Sequence, residues 1–295
     1  MTVALPIPSV SAQWLADHVG TDDLVVLDAT VLTVTSASGR TIRLSGYDEY
    51  LVEGHIPGAL FADLLEEFSD ASAPYPLTRP TPAHFEAALA PLGIGAHSNV
   101  VIYDRAIGHW AARLWWIFRS FGFENVSVLD GGLTAWSAGE RPIDTGHVPA
   151  RAAASEFSAT EQPGYWADKA DVEAVLSGDL DATLVCALAA NEFRGEAGDR
   201  SRLGHIPGSV SIPALRLIDR DDRTLLSGAP LVSQLEPATA AQRPVIVYCH
   251  AGILASLTAL ALTLEGHDDV RVYDGSLSEW ASDPAAPLVS ETVPV

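Results

Sequence analysis

Six short, predominantly apolar runs punctuate the chain, at residues 24–27, 100–103, 126–129, 184–185, 245–248 and 270–273. Runs of about four β-branched or aliphatic residues without sustained alternation suit strands buried on both faces, as in a parallel sheet. Between the last two runs of each half the pattern becomes helical, over residues 111–121 and 255–265. Each helical pattern stops at a glycine, Gly122 or Gly266, which suits the left-handed residue beyond a helix end. Strand–helix–strand succession predicts an α/β fold: open, mostly parallel sheets flanked by helices, with ligands at the carboxyl ends of strands.

The pattern occurs twice, and so do its punctuation marks. Gly54-His55-Ile56-Pro57-Gly58-Ala59 returns as Gly204-His205-Ile206-Pro207-Gly208-Ser209. Val100-Val101-Ile102-Tyr103-Asp104 parallels Val245-Ile246-Val247-Tyr248-Cys249, and Asp130-Gly131-Gly132-Leu133 parallels Asp274-Gly275-Ser276-Leu277. Three landmarks in one order at similar spacing mark two copies of one unit. Pro142 to Pro163, rich in Ala, Pro, Ser and Glu and without sustained period, reads as a linker. The expected organisation is an N-terminal unit over residues 1–142, a linker over 143–163 and a C-terminal unit over 164–295.

A length of 295 residues suits two domains, each long enough to bury a core. The net charge of −21, with Lys169 the only lysine among 17 cationic residues, excludes the basic footprint of a nucleic-acid or anionic-membrane binder. No run approaches the ~20 apolar residues of a membrane span, and Met1-Thr2-Val3-Ala4-Leu5-Pro6 does not resemble a secretory signal. Two cysteines make no disulfide framework; they fit a reducing compartment, here the cytoplasm, and leave each thiol open to chemistry. Their separation, Cys186 to Cys249, also excludes the close pairs of structural zinc sites.

Cys249 carries the sharpest chemical signal. It ends an apolar run, precedes a loop containing Gly252, and stands before a helical pattern. That order sets a sulfur among backbone N–H groups at a helix N-terminus, which stabilises the anionic, nucleophilic form without metal or organic cofactor. Asp104 holds the equivalent place in the first copy, so one unit of two can use a thiol.

Two such units, the paired His-Ile-Pro-Gly motifs, the Asp-Gly turns and one cysteine ending the second unit's strand together resemble the two-domain rhodanese-like sulfurtransferases. The resemblance runs from about Leu24 to Trp280. It implies a silent first domain and a second in which Cys249 takes sulfur from a donor of the thiosulfate or 3-mercaptopyruvate type. The sulfur is held as a persulfide and passed to a thiol or cyanide-like acceptor. The loop His250, Ala251, Gly252, Ile253 and Leu254 would bind the donor, and the tandem pair would work as a monomer. His55 would at most face the cleft from the first domain.

The chain departs from that family where donors are recognised. The family's Asp-Ala-Arg at the end of the second strand reads Cys186-Ala187-Leu188 here. The loop has neither the two fixed cations of thiosulfate-type members nor the serine and threonine of mercaptopyruvate-type members. Leucine cannot replace a bidentate guanidinium. Arg194, Arg200 or Arg202 are the candidate replacement cations, and Arg194 is assigned to substrate binding. Cys186 is a candidate accessory thiol, able to form a disulfide with Cys249 or exchange a persulfide if the two approach. A weak or silent binding or redox-sensing module is therefore the alternative function. A phosphatase or arsenate reductase is rejected, because Ala255 stands where an oxyanion-clamping arginine would be required.

Overall fold

The computed structural model describes residues 4–37, 41–149, 152 and 155–291. Part of the expected linker (150, 151, 153 and 154) and the first three residues lie outside the described residues. The first unit runs β1 (Ser9–Val10), α1 (Ala12–His18), β2 (Leu24–Asp28), β3 (Val31–Thr35), β4 (Thr41–Ser45), α2 (Tyr47–Val52), β5 (Leu60–Phe61), α3 (Pro82–Leu89), β6 (Asn99–Tyr103), α4 (His109–Ser120), β7 (Val126–Leu129) and α5 (Gly132–Ala138). The second runs β8 (Trp166–Ala167), α6 (Lys169–Ser177), β9 (Thr183–Cys186), α7 (Ala190–Phe193), β10 (Val210–Ser211), α8 (Ala229–Thr239), β11 (Val245–Tyr248), α9 (Ile253–Leu264), β12 (Val270–Tyr273) and α10 (Ser276–Trp280).

Each unit builds a five-stranded sheet, in the orders β1-β7-β6-β2-β5 and β8-β12-β11-β9-β10. Every pair in both sheets is parallel, and the two orders are the same when the repeats are overlaid. The middle strands β6 and β11 are buried throughout, as their unbroken apolar runs predict. Helices α4 and α9 pack on each other across the unit boundary, and one continuous buried cluster extends from Leu27 through Phe118 to Leu260. The sequence of α9 is apolar all round because both faces are covered.

Both helices start two residues earlier than their periodicity predicts, on Gly108 (φ 84°) and Gly252 (φ 77°). The left-handed backbone at these positions costs glycine nothing and so lets a strand turn abruptly into a helix. The β3–β4 hairpin was not foreseen. Its register pairs Leu32 with Leu44, Val34 with Ile42, and Thr33 with Arg43. Directly opposed residues share a face, so the ribbon has one apolar face, largely exposed, and one polar face carrying Arg43.

The units exchange contacts about a pseudo-two-fold. The N–H of Arg79 donates to Asp274 Oδ2 at 3.0 Å, and the N–H of Leu225 donates to Asp130 Oδ1 at 2.8 Å. The Asp-Gly turn of each unit is thus capped by the other. Among the described residues, no helix is long and apolar enough to cross a membrane.

Candidate active site

The loop from Cys249 to Gly252 is clamped by the start of α10. Leu277 N–H donates to Cys249 O at 3.1 Å, and Ser278 donates to His250 O through its N–H (2.9 Å) and its hydroxyl (2.7 Å). In a trans peptide each N–H points opposite the preceding carbonyl, so fixing these two carbonyls turns the N–H groups of His250 and Ala251 away from α10. The first N–H groups of α9 have no intrahelical acceptor and point the same way as the helix dipole. Ser276 Oγ ties the loop ends together, accepting from Cys249 N–H (3.2 Å) and Gly252 N–H (3.1 Å) while donating to Tyr273 O (2.7 Å). Ser276 holds a left-handed φ of 47° where the first unit has Gly132 at 52°. A non-glycine residue kept there is strained, and the two hydrogen bonds its hydroxyl accepts are what the strain secures.

The first unit shows what this cradle holds. Asp104 Oδ1 accepts from the N–H of Ala106 (2.8 Å) and Gly108 (3.0 Å), and Oδ2 from the N–H of Trp110 (2.9 Å) and Ala111 (3.0 Å). A tethered anion thus fills the silent loop. In the second unit the same strand–loop–helix junction presents Cys249, buried to 2% exposure, to a cradle with no built-in carboxylate.

The loop's cation comes from outside it. Arg200 Nη1 lies 3.3 Å from His250 Nδ1, and Arg200 Nε and Nη2 are buried with no hydrogen-bond partner among the described residues. A guanidinium only donates, so His250 Nδ1 accepts and its proton resides on Nε2. Burial, then repulsion from Arg200 and Arg43, drives the His250 pKa down to about 4. His250 is therefore neutral near pH 7, and the positive charge beside it belongs to the two arginines. Arg43 arrives from the first unit on the polar face of the hairpin and has no ion pair among the described residues.

Of the other candidate cations, Arg194 is engaged on the surface by Glu196, through Nε at 2.8 Å and Nη2 at 2.7 Å. Arg202 is spent on the carbonyls of Asp283 (2.5 Å) and Ala286 (2.6 Å). The geometry therefore places Arg200, rather than Arg194, against the loop. Ala251 and Ile253 are buried, and Leu254 lines a cavity between the units.

Cys186 is fully buried, and its strand register pairs it with Tyr248, not Cys249. Successive strand residues face opposite ways, so its thiol shares the face of the Tyr248 ring. Desolvation pushes its pKa up to about 12, offset only in part by the neighbouring Leu188 N–H and Tyr248 hydroxyl. It replaces Asp28 of the first unit, which sits likewise beside Tyr103. His55 stacks on Tyr50 (ring centroids 4.0 Å apart) and bonds Tyr50 O through Nδ1 at 3.0 Å; His205 stacks on Phe193 (3.6 Å) and bonds Phe193 O at 2.7 Å. Both brace their Pro-Gly turns.

Sequence reasoning missed Arg113. This α4 residue is 1% exposed, forms an ion pair with Asp274 at 2.5 Å, donates to Leu77 O at 2.7 Å and lies over the Trp166 ring at 4.8 Å. Its Nη1 is buried without a partner, and a Cβ on Gly252 would come within 2.8 Å of it. The first unit thus braces the Cys249 loop of the second. A lone arginine within the apolar run 110–118 was the available signal. Ser276 was legible too, as the one hydroxyl replacing a glycine between the aligned repeats. Arg43 had no such mark.

A family model described as the rhodanese-like domain matches residues 11–139 and 180–283. The chain is 31% identical over 282 residues to the 3-mercaptopyruvate sulfurtransferase of Escherichia coli K12, covering 95% of this chain and 96% of that protein. It is 35% identical over 285 residues to the enzyme of the same name from Rattus norvegicus, covering 92% and 91%. The solved structure of SseA from Escherichia coli superposes with a TM-score of 0.79 at 31% identity, covering 91% of this chain and 98% of that one. With two matched regions, two sheets of one topology and a cysteine in the second unit's cradle, this chain belongs to the tandem rhodanese-like sulfurtransferases.

Proposed function

We propose that Cys249 is the nucleophile of a sulfurtransferase acting on donors of the 3-mercaptopyruvate or thiosulfate type, and that the transferred sulfur rests on it as a persulfide. The observation that carries this reading is the cradle: its twin in the first unit holds a carboxylate with four N–H groups, so the fold at this junction is built around an anion. In the first step the Cys249 thiolate attacks the donor's transferable sulfur and forms an S–S bond. With 3-mercaptopyruvate the C–S pair leaves to carbon as an enolate, which takes up the thiol proton to give pyruvate; with thiosulfate the S–S pair leaves on sulfite. In the second step an acceptor thiolate or cyanide attacks the outer sulfur, and the S–S pair returns to Cys249. No external oxidant or reductant is needed.

Arg200 meets the donor's anionic group, its two unpartnered N–H positions supplying what the family's strand-end arginine would have supplied. Arg43 adds a second cation from the first unit, and the N–H groups of His250, Ala251 and the first turn of α9 receive the anionic sulfur, while Gly252 N–H stays on Ser276 Oγ. Ser276 keeps the loop closed around it. Arg194 and His55 hold structural rather than donor-binding positions in this reading. The units run 1–142 and 164–295, the cleft is closed within one chain, and a monomer suffices. Two cysteines that form no disulfide framework suit a reducing compartment and support a cytoplasmic location in this reading.

The test is intact-mass analysis after incubation with 3-mercaptopyruvate or thiosulfate. A gain of about 32 Da, one sulfur atom, mapping to Cys249 and absent in Cys249→Ser, is the expected outcome. A protein that acquires no adduct from either donor would leave only the binding-module alternative.

A further inference from the structure

The chain leaves both units along the same track. In the first, His55 and Asp144 exchange backbone hydrogen bonds (2.8 and 2.9 Å), and Gly146 N–H then donates to Leu51 O at 2.8 Å. In the second, His205 and Val289 do the same (3.0 and 2.9 Å), and Glu291 N–H donates to Arg194 O at 2.9 Å. Leu51 and Arg194 are equivalent, each following the aromatic ring on which its unit's motif histidine stacks. The sequences beyond agree as well: His147-Val148-Pro149 follows Gly146, and Thr292-Val293-Pro294-Val295 follows Glu291.

In the first unit Val148 and Pro149 line a cavity of about 520 Å³ at the amino ends of the strands, beside Pro57, Gly58 and Leu60. Val148 packs on the core, and Leu60 is left 8% exposed. The second unit has the same hollow, about 620 Å³, walled by Leu176, Leu180, Thr183, Pro207, Val210 and Pro237, at the opposite end of the sheet from Cys249. Among the described residues, no segment takes the place there that Val148 and Pro149 take in the first unit. Val210, equivalent to Leu60, stays only half-buried. Thr183, equivalent to Val25 by strand register, is 8% exposed, and its Oγ1 is buried without a hydrogen-bond partner among the described residues. An apolar groove with an unpaired buried hydroxyl suits an extended backbone carrying apolar side chains.

We propose that residues 292–295, which lie outside the described residues, dock in this groove, with Val293 and Pro294 taking the places of Val148 and Pro149. The reach is the same, since Val293 follows Glu291 at the interval at which Val148 follows Gly146. Proline holds the residue before it extended, and an extended segment offers Thr183 Oγ1 a backbone N–H. These residues cover the part of the groove beside Pro207 and Val210. The part beside Ala240 lies beyond them: its equivalent, Gly95, is covered by Ser155, further along the linker.

The docked segment also bears on the active site. Residues 289–291 lie against both ends of the segment that carries Arg200, leaving no room for a Cβ on Gly204 beside Val289 O or on Gly195 beside Ser290 Oγ. Anchoring 292–295 therefore holds Arg200 in place, a consequence that rests on the donor role of Arg200 in the preceding section.

Hydrogen exchange read by mass spectrometry tests the docking, comparing the full chain with a chain ending at Glu291 and with Val293→Asp and Val293→Ile. Burial of a valine shifts an equilibrium by about tenfold or more. Amides of residues 203–212 and 286–291 should exchange about tenfold faster in the truncated chain and in Val293→Asp. Val293→Ile should match the full chain, and residues 240–243 should exchange alike in all four. Unchanged exchange over 203–212, or equal losses in Val293→Asp and Val293→Ile, overturns the docking. Protection that falls on dilution assigns the groove to a second copy of the chain and overturns it as well. In turnover, truncation should raise KM for thiosulfate severalfold and leave kcat unchanged. Faster exchange with an unchanged KM overturns the link to Arg200 alone. A chain that forms no persulfide removes the kinetic measurement, while exchange still decides the docking.

Discussion

Replacing Arg113 by methionine tests whether the first unit holds the catalytic loop of the second. Methionine keeps much of the side-chain volume and removes the charge. The Asp274 carboxylate, 6% exposed, would then keep only the Arg79 N–H at 3.0 Å and the Arg79 guanidinium at 3.7 Å. Breaking a buried pair from one side costs about 3–5 kcal/mol, because the remaining charge is left uncompensated. Leu77 O also loses its donor and Trp166 its cation. Arg79 offsets part of this, so we expect about 3 kcal/mol. With a urea m-value near 3 kcal/mol/M, the upper end for small proteins, the midpoint should fall by about 1 M. Asp274→Asn should cost a similar amount, since it leaves the Arg113 guanidinium, 1% exposed, without its counter-charge. The double variant should be less destabilised than the sum of the singles by about 1–3 kcal/mol. Unfolding is to be followed by circular dichroism and tryptophan fluorescence together, so that separate unfolding of the two units would show as divergent curves. A single-variant cost below 1 kcal/mol, or singles that add within about 0.5 kcal/mol, would refute the idea of a coupled buried pair.

Three further outcomes follow from the site. Asp104→Ala strands four N–H groups of the silent loop, each hydrogen bond to a charged acceptor being worth up to about 1.5–3 kcal/mol; urea unfolding should register a loss of at least about 2 kcal/mol, and a neutral result would mean that water replaces the carboxylate. His250 has a folded pKa near 4 against an ordinary value of 6.5, so protons bind the unfolded chain first: stability should fall as pH drops from 6.5 towards 4, and His250→Gln should remove that part of the slope. An unchanged slope in the variant would show a charged histidine in the fold. At pH 8 the buried Cys186 thiol, with a pKa of about 12, is ionised to only about one part in 10⁴, so iodoacetamide should label Cys249 alone; two labels per native chain would contradict the burial of Cys186.

What the sequence determined by itself was the architecture, together with a candidate nucleophile. Six apolar runs, two glycine-stopped helices and three repeated landmarks specify two copies of a parallel α/β unit, because buried strands and left-handed turns leave marks that are local along the chain. The same comparison of copies singled out Cys249 against Asp104. Recognition was less legible, because it depends on groups distant in sequence. The loss of Leu188 as an arginine position was visible, but Arg200 among three candidates could be chosen only when Glu196 was seen to occupy Arg194 and two carbonyls Arg202. Arg43 and Arg113 belong to the unit without a nucleophile and reach the site only through the packing of the hairpin and of α4 against α9. Cys186, the candidate accessory thiol, could be set beside Tyr248 only once the strand register was known. Local pattern fixes what a segment becomes; which charges meet across a cleft, and which way a thiol faces, is decided by tertiary packing.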